Sequence, residues 1–447
     1  MCRDLSCKMT VKNFSMNLQS YRHVHCIGVG GIGMSGVAKF LHVNGVSVSG
    51  SDAKSSQIID DLIALGIPVS IGHDISNVSS ETDLVVYTEA ATEENIERIE
   101  ASHRDIQQMG HFDFLGALSK DYRTICVTGT NGKSTTTAMT AKIFIDAGLD
   151  PTVFVGSIVP DWELGNVRIG EGNILIVEGD EYKQKMVKLW PEGTVITNIE
   201  ADHLDVYRDL QHIIDTFQEI ALKTTGSVFV NRDDVNSQKI SGTNLKQYDV
   251  SAIEGVTLGV PGAFNRMNAS AAAVVAREFG IGDDIIAKSL SSFAGIWRRF
   301  ERVGTFHGAL IISDYGHHPT AIRATLQGAR EFFPKNRIVL LFEPHQHSRT
   351  KELFNEFAES FGGADILVLS EIYGVLGRTD ERDESVTSKL LLDAAMASNY
   401  APKEGHYVAN LIEAEAKLRE IVQEGDVVIV MGAGDVDVVA RNLVNFS

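Results

Sequence analysis

Along most of the chain, short apolar runs alternate with stretches of helical spacing. His23–Val29 ("HVHCIGV"), Val46–Asp52 ("VSVSGSD") and Thr82–Thr88 ("TDLVVYT") read as strands, and Met34–Asn44 reads as a helix between the first two. A second series opens with Arg123–Gly129 ("RTICVTG") and continues through Asn173–Glu181 ("NILIVEGDE"), Gly193–His203 ("GTVITNIEADH") and Gly226–Asp234 ("GSVFVNRDD"). A third runs from Phe300–Ala321 through Asn336–His345 ("NRIVLLFEPH") and Ala364–Gly374 ("ADILVLSEIYG") to Gly425–Asp435 ("GDVVIVMGAGD"). Strands alternating with helices in three series predict three α/β domains with largely parallel sheets. The first and third are Rossmann-like; the central one carries a phosphate-binding loop. The segment "HFDFLGALSKDYR" reads as a connector, and the expected divisions are a flexible leader at 1–20 and domains at 21–115, 116–303 and 304–447.

Length agrees, since 447 residues exceed one ordinary domain and suit three of about 150. A hydrophobic content of 44% with 22% charged residues belongs to a globular protein, and no run of about 18 uncharged apolar residues predicts a membrane span. The N-terminal stretch lacks an apolar signal core, so a cytoplasmic protein is expected. A net charge of −19 argues against a nucleic-acid partner, because phosphate backbones demand a basic surface. It does not exclude nucleotides, which local amides and a few cations can hold. Of Cys2, Cys7, Cys26 and Cys126, none forms a C-x-x-C pair, and buried free thiols in a reducing compartment are expected.

Two loops carry the chemistry. Gly28-x-Gly30-x-x-Gly33 follows a strand and opens a helix, and Asp52 closes the next strand 19 residues after Gly33. Glycines there let a backbone approach a diphosphate at a helix N-terminus, while the acid reaches ribose hydroxyls. The motif specifies a diphosphate and not a base, and tight strand–helix packing is its bland alternative. The second loop, Gly129–Thr135 ("GTNGKST"), also follows a strand but has Val127 where a phosphate loop usually starts with glycine. Its amides would wrap ATP phosphates, the Lys133 ammonium would balance their charge, and the Ser134 hydroxyl would ligate Mg²⁺.

Hard oxygen ligands for that ion are offered at two strand ends. Glu178, with Asp180 and Glu181, follows one; Asn198, Glu200, Asp202, His203 and Asp205 follow the other. Glu178 and His203 lead as ligands, although acids after a strand also cap helices. Asn265 and Asn268, on successive turns of an alanine-rich helix, could read an adenine edge, but capping explains Asn265 equally well. Arg298, Arg299 and Arg302 form either a phosphate-binding group or a solvated basic patch. In the third series Asp314, Tyr315, His317 and His318 end one strand, and His345, His347 and Arg349 end another. Their spacing fits no structural zinc pattern, so substrate recognition and closure over ATP are the expected roles.

Taken in order, "HVHCIGVGGIGMSGVA", "VSVSGSD", "TGTNGKSTTT", "TNIEADHLDVY", "DYGHHPTAI", "LFEPHQHSRTKELF" and "VVIVMGAGD" resemble the Mur ligases of peptidoglycan synthesis, from about Tyr21 to Val444. Among these the chain is most similar to the branch that adds L-alanine to UDP-N-acetylmuramate. The resemblance implies two substrates for the two loops, a UDP-sugar on the first and ATP with Mg²⁺ on the second. It implies cytoplasmic ligation through an acyl phosphate by a monomer or weak homodimer. Carried over, Gly28, Gly30, Gly31, Ile32, Gly33, Asp52, His73, Asn166 and Arg168 belong to the UDP-sugar. Gly129, Thr130, Asn131, Gly132, Lys133, Ser134, Thr135, Asn265, Asn268, Arg299 and Asp314 belong to ATP. Ser134, Glu178 and His203 hold the metal, and Lys133, Glu178, His203, His345 and Arg349 serve catalysis. The chain departs from that branch at Asn131, at Gln346 and in "YTEAATEEN" (Tyr87–Asn95), which bear on substrate choice. A ligase adding a recycled tripeptide, or glycine or serine, is the alternative.

Overall fold

A computed structural model describes residues 18–203, 206–242, 244–374 and 385–445. Residues 1–17 of the expected leader, with Cys2 and Cys7, and the candidate Asp205 lie outside the described residues. Leu18–Ser20 forms a single 3-10 turn with Leu18 buried.

Three sheets match the three series of strands. The first contains β1 (His23–Ile27), β2 (Ser47–Asp52), β3 (Val69–Ile71), β4 (Leu84–Tyr87) and β5 (Gln107–Gly110), all parallel, in the order β3-β2-β1-β4-β5. The second contains β6 (Arg123–Thr128), β7 (Thr152–Phe154), β8 (Val167–Arg168), β9 (Ile174–Glu178), β10 (Gly193–Ile196), β11 (Val228–Asn231) and β12 (Leu245–Tyr248). Its order is β12-β11-β10-β6-β9-β7-β8, with only β7–β8 antiparallel. The third contains β13 (Glu301–Phe306), β14 (Ala309–Asp314), β15 (Ile338–Phe342), β16 (Ile366–Ser370), β17 (Glu404–Val408) and β18 (Val427–Met431). Here β13–β14 is the antiparallel pair and the order is β13-β14-β18-β15-β16-β17.

The strand cores are apolar on both faces because helices cover both sides of a parallel sheet. Every residue of β10, β15, β16 and β18 is buried. In sheet one the chain leaves β1 towards β3 and later returns to its other side at β4. Such reversals open a crevice at the strands' carboxyl ends, and the Gly28–Gly33 loop leaves β1 there.

The chain divides into two compact units, one reaching to Glu254 and taking in Asn268–Ser289, the other of Gly255–Met267 and everything from Leu290 onward. Sheets one and two lie in the first unit and share one hydrophobic core. Phe40, on the helix Ile32–Val43, meets Phe114 at 6.4 Å and Phe154 at 5.5 Å between ring centroids. Phe114 comes from His111–Ser119, a helix where the pattern predicts only a connector. Its Phe112, Phe114, Leu115 and Leu118 are all buried, so packing against neighbouring elements, more than local spacing, sets its orientation. Cys26 and Cys126 are buried free thiols on β1 and β6, each pushed up to about 12 by burial.

Candidate functional site

In the first unit, β1 gives way at Gly28, whose φ of +77° and closeness to Thr88 leave no room for a side chain. The Gly28 and Val29 amides donate to the Ser51 carbonyl at 2.8 and 3.1 Å, and the Gly30 amide donates to Asp52 Oδ2 at 2.9 Å. Asp52 thus braces the loop. Gly31 caps the helix Ile32–Val43 with no side-chain bond, so its first amides stay open to an anion. The loop borders a cavity of about 660 Å³ lined by Gly28, Gly30, Gly31, Asp52, His73 and Asn95 among others. Thr88, Ala90, Ala91, Thr92 and Glu94, from the unusual segment after β4, line it as well.

Asn166 and Arg168 take other positions. Asn166 is buried and braces the same helix, donating to the Ile32 carbonyl and to Ser35 Oγ and accepting from Lys39 Nζ at 2.8 Å. The Arg168 guanidinium donates to the Pro151 carbonyl at 2.7 Å and pairs with Asp150 at 2.5 Å. Gly33 faces the His111 ring, which is held down at about 4 by burial first and by nearby Lys185 second.

The second loop leaves β6. Gly129 has φ +136° and Gly132 φ +82°, and a Cβ on either would collide, with Thr197 and with Asn268 respectively. The sequence-predicted Asn268 therefore does meet this loop. Lys133 opens the helix Lys133–Asp146; its Nζ donates to the Gly129 carbonyl at 2.7 Å and to the Thr130 carbonyl at 3.1 Å, and pairs with Glu181 at 2.8 Å. Ser134 Oγ donates to Glu178 Oε1 at 2.9 Å, and Glu178 Oε2 accepts the Gly156 amide at 2.6 Å. Asn131 donates its amide to Asn198 Oδ1 at 2.9 Å, and the Thr130 amide donates to the Asn198 carbonyl at 2.9 Å. Thr135 is buried in the first turn.

His203, with φ +53°, stands 3.8 Å from Glu181 and edge-on to Tyr182 at 4.9 Å. Glu181 is the partner that the motif reading passed over in favour of Glu178. Burial pushes its carboxyl up, against the pull of Lys133. Among the described residues no three acidic, histidine or cysteine side chains form a preassembled metal cage. The hydroxyl–carboxylate pair of Ser134 and Glu178 fits Mg²⁺ in another way, since that ion takes one or two protein oxygens and fills the rest of its octahedron with phosphate and water.

In the second unit three strand ends lie side by side, at Asp314, Phe342 and Met431. Asp314 is buried and accepts the Gly316 and Phe300 amides, both at 2.8 Å; burial pushes its carboxyl up against those bonds and against Arg299 and Arg298. Arg299 lies 5.0 Å from the Tyr315 ring, whereas Arg298 is tied to the Gly432 and Gly434 carbonyls beyond β18. Past β15, His345 stacks on Tyr373 at 5.5 Å, lies 3.3 Å from Arg349 and faces His317 at 5.9 Å between centroids. His317 is held down at about 4, by burial first and then by Arg349, His345 and Arg299 among its neighbours. Gln346 takes φ +72° to start the helix His347–Glu352. Two further groups join this corner: His317, held locally by Tyr315 and facing the distant His345, and Glu343, whose carboxyl burial pushes up to about 7. Asn265, in the same unit, donates its side-chain amide to the Pro261 carbonyl four residues back at 2.6 Å.

Three family models match the chain in this order: Mur ligase family, catalytic domain, at residues 23–123; Mur ligase middle domain at 127–253; and Mur ligase, glutamate ligase domain, at 298–434. The UDP-N-acetylmuramate–L-alanine ligase of Clostridium tetani is 38% identical over 454 residues, covering 94% of this chain and 97% of its own. That of Salinibacter ruber is 38% identical over 448 residues, covering 93% of each. A UDP-N-acetylmuramate-alanine ligase structure from Thermotoga maritima superposes with a TM-score of 0.80 at 29% identity, covering 95% of this chain and 98% of that one. A murein peptide ligase from Psychrobacter arcticus, at 23% identity and a TM-score of 0.61 over 95% of this chain and 98% of its own, shares the fold. The three models in this order, with full-length kinship to amino-acid ligases, define an ATP-dependent ligase. The chain belongs to the Mur ligase family.

Proposed function

We propose that the protein joins L-alanine to the carboxylate of UDP-N-acetylmuramate with ATP, in peptidoglycan precursor synthesis. The observation that carries this reading is the second loop, where Lys133 and Ser134 meet Glu181 and Glu178 in the unit that also holds the Gly28–Gly33 pocket. Full-length kinship at 38% identity to alanine ligases supports the choice of amino acid. The chain has no helix among its described residues long and apolar enough to cross a membrane, which accords with a cytoplasmic site for this reaction.

In this reading residues 21–115 take the UDP-sugar, 116–303 the ATP and 304–447 the amino acid. Gly28, Gly30 and Gly31 hold the diphosphate on backbone amides, and Asp52 and His73 flank it. Lys133 exchanges its bonds to Gly129, Thr130 and Glu181 for phosphate oxygens, and Asn268 lies against the same loop. Mg²⁺, held by Ser134 and Glu178 with His203 as the further ligand, would draw charge off the phosphates. The sugar's carboxylate attacks the terminal phosphate and ADP departs, leaving an acyl phosphate. The amine then attacks the acyl carbon, gives up its proton, and phosphate leaves. A carboxylate acylates poorly until one oxygen becomes a good leaving group, so protein work here is chiefly positioning and charge neutralisation. His345 and Arg349 receive the amino acid's carboxylate, and Arg299 and Asp314 act on the nucleotide side.

Phosphate release by the purified protein with MgATP and UDP-N-acetylmuramate tests the proposal across L-alanine, glycine, L-serine and the recycling tripeptide. Turnover with L-alanine alone is the expected outcome. Turnover only with the tripeptide, glycine or serine would move the substrate, and none with any acceptor would sink the reading.

A further inference from the structure

Behind the first pocket a carboxylate is buried among donors. Glu97, in the first turn of the helix Ile96–His103, is 0% exposed. Its Oε2 accepts from Ser51 Oγ at 2.5 Å, and its Oε1 accepts from Asn77 Nδ2 at 2.6 Å and from the Asp74 amide at 3.3 Å. Two imidazoles complete the shell: His73 Nδ1 at 3.3 Å and His25 Nε2 at 3.5 Å, both from Oε2. Burial would drive this carboxyl up, but the nearby His25 imidazole and the bonds from Ser51 and Asn77 outweigh it and hold the group down at about 2. A buried charge persists only when its oxygens are met in this way.

Hydrogen accounting then determines a tautomer. Ser51 spends its one hydroxyl hydrogen on Glu97, so towards His73 Nδ1, 3.3 Å away, Ser51 Oγ can only accept. The Glu97 carboxylate can only accept as well. Nδ1 of His73 must therefore carry the hydrogen, which leaves Nε2, on the opposite edge of the ring, for the pocket that His73 lines.

The same polarity runs back along the sheet. β1 and β2 pair His23 with Ser47 and His25 with Ser49. Ser49 Oγ is 2.8 Å from His25 Nδ1 and 2.8 Å from His23 Nε2, and Ser47 Oγ is 2.9 Å from His23 Nδ1. His25 Nε2 lies 3.5 Å from Glu97 Oε2 without forming a hydrogen bond to it, so the imidazole–serine ladder reaches the carboxylate as a neighbour.

We infer that Glu97 is a positioning residue for sugar-nucleotide binding: its buried carboxylate holds the His73 imidazole in its Nδ1–H form, turned so that Nε2 serves the pocket. The inference rests on reading that pocket as the sugar-nucleotide site. Ser51, Asn77 and the Asp74 amide all donate to Glu97, so the amide of Glu97→Gln would set its own hydrogens against donors and free His73 to change tautomer. A residue that merely clamped the 72–77 loop would weaken binding whether or not the imidazole was present.

The test is calorimetric titration with UDP of the wild type, E97Q, H73A and the double variant, together with ¹⁵N NMR of the His73 ring. E97Q should weaken UDP about tenfold, the scale of one lost charge-assisted hydrogen bond, and leave ATP binding unchanged. In the H73A background it should change UDP affinity by less than about twofold, the signature of coupled residues. Wild-type NMR should show hydrogen on Nδ1. Equal weakening by E97Q in both backgrounds would overturn the inference, as would hydrogen on Nε2 of His73 in the unliganded wild type. The NMR arm needs no variant to fold. A wild type that binds no UDP would instead overturn the sugar-nucleotide reading, and this inference with it.

Discussion

At the end of β1 the chain turns through Gly28–Gly33 into a helix with open first amides, beside a cavity of about 660 Å³. At the end of β6 it turns through Gly129–Ser134 into a helix whose lysine is already bonded to two carbonyls and a carboxylate. The first loop prepares a shape: Asp52 and the Ser51 carbonyl hold its backbone, and a ligand meets amides with few protein competitors. The second prepares charge. Lys133, Ser134, Asn131 and Thr130 all have protein partners, so a phosphate gains by exchange and not by filling an open site. Tight holding suits a substrate that must be oriented. Exchangeable holding suits a nucleotide that must leave after reaction, as the proposed role of the second loop requires.

The largest effect that should divide the two loops is that of Lys133→Ala. It should lower ligation by about 10²–10³-fold, the usual loss for one preorganised transition-state contact, while UDP affinity stays near wild type. Phosphate release and UDP titration check both halves, and normal ligation would remove the second loop from the chemistry. Next come the glycines. Gly28→Ala and Gly129→Ala each force a left-handed φ on alanine and a clash, with Thr88 and Thr197 respectively, at a cost of about 1–3 kcal/mol each. Thermal unfolding should show the stability loss, and binding should separate the sites, UDP weakened by the first and ATP by the second.

A smaller effect concerns pH. Glu97 is shifted from an ordinary 4.5 to about 2, so the stability it contributes is fully present above 4.5 and is lost as pH falls towards 2. Wild-type unfolding monitored over that window should therefore show a steeper acid loss than Glu97→Gln; equal slopes would contradict the direction of the shift. The smallest effect is expected of Arg168→Ala. Its pair with Asp150 is partly exposed, at 25% and 40% of the side chains, and should contribute no more than about 1 kcal/mol. A fall in UDP-sugar affinity in that variant would return Arg168 to the pocket.

The two loops were legible in the sequence because both are local. A strand, a run of glycines and the next helix lie within a dozen or so residues, and their chemistry follows from backbone geometry that glycine alone permits. The class of fold was legible for a similar reason, since β15 and β18 are apolar throughout and β16 is apolar up to Ser370. Edge strands were not: β5, "QQMG", carries no apolar signature and is a strand only because β4 lies beside it. The helix His111–Ser119 passed for a connector because the faces it buries belong to its neighbours.

By itself, then, the sequence determined three α/β series, two glycine-bearing loops of different design, and the family to which their ordered motifs point, because these depend on neighbours along the chain. Tertiary structure decided which partners the side chains take. It set Glu181 on Lys133, turned Arg168 to Asp150, gathered His317 with His345, and buried Glu97 between β1, β2 and the 72–77 loop. Those choices join residues that lie from 18 to 48 positions apart, and only the packing of sheets and helices brings such donors to such acceptors.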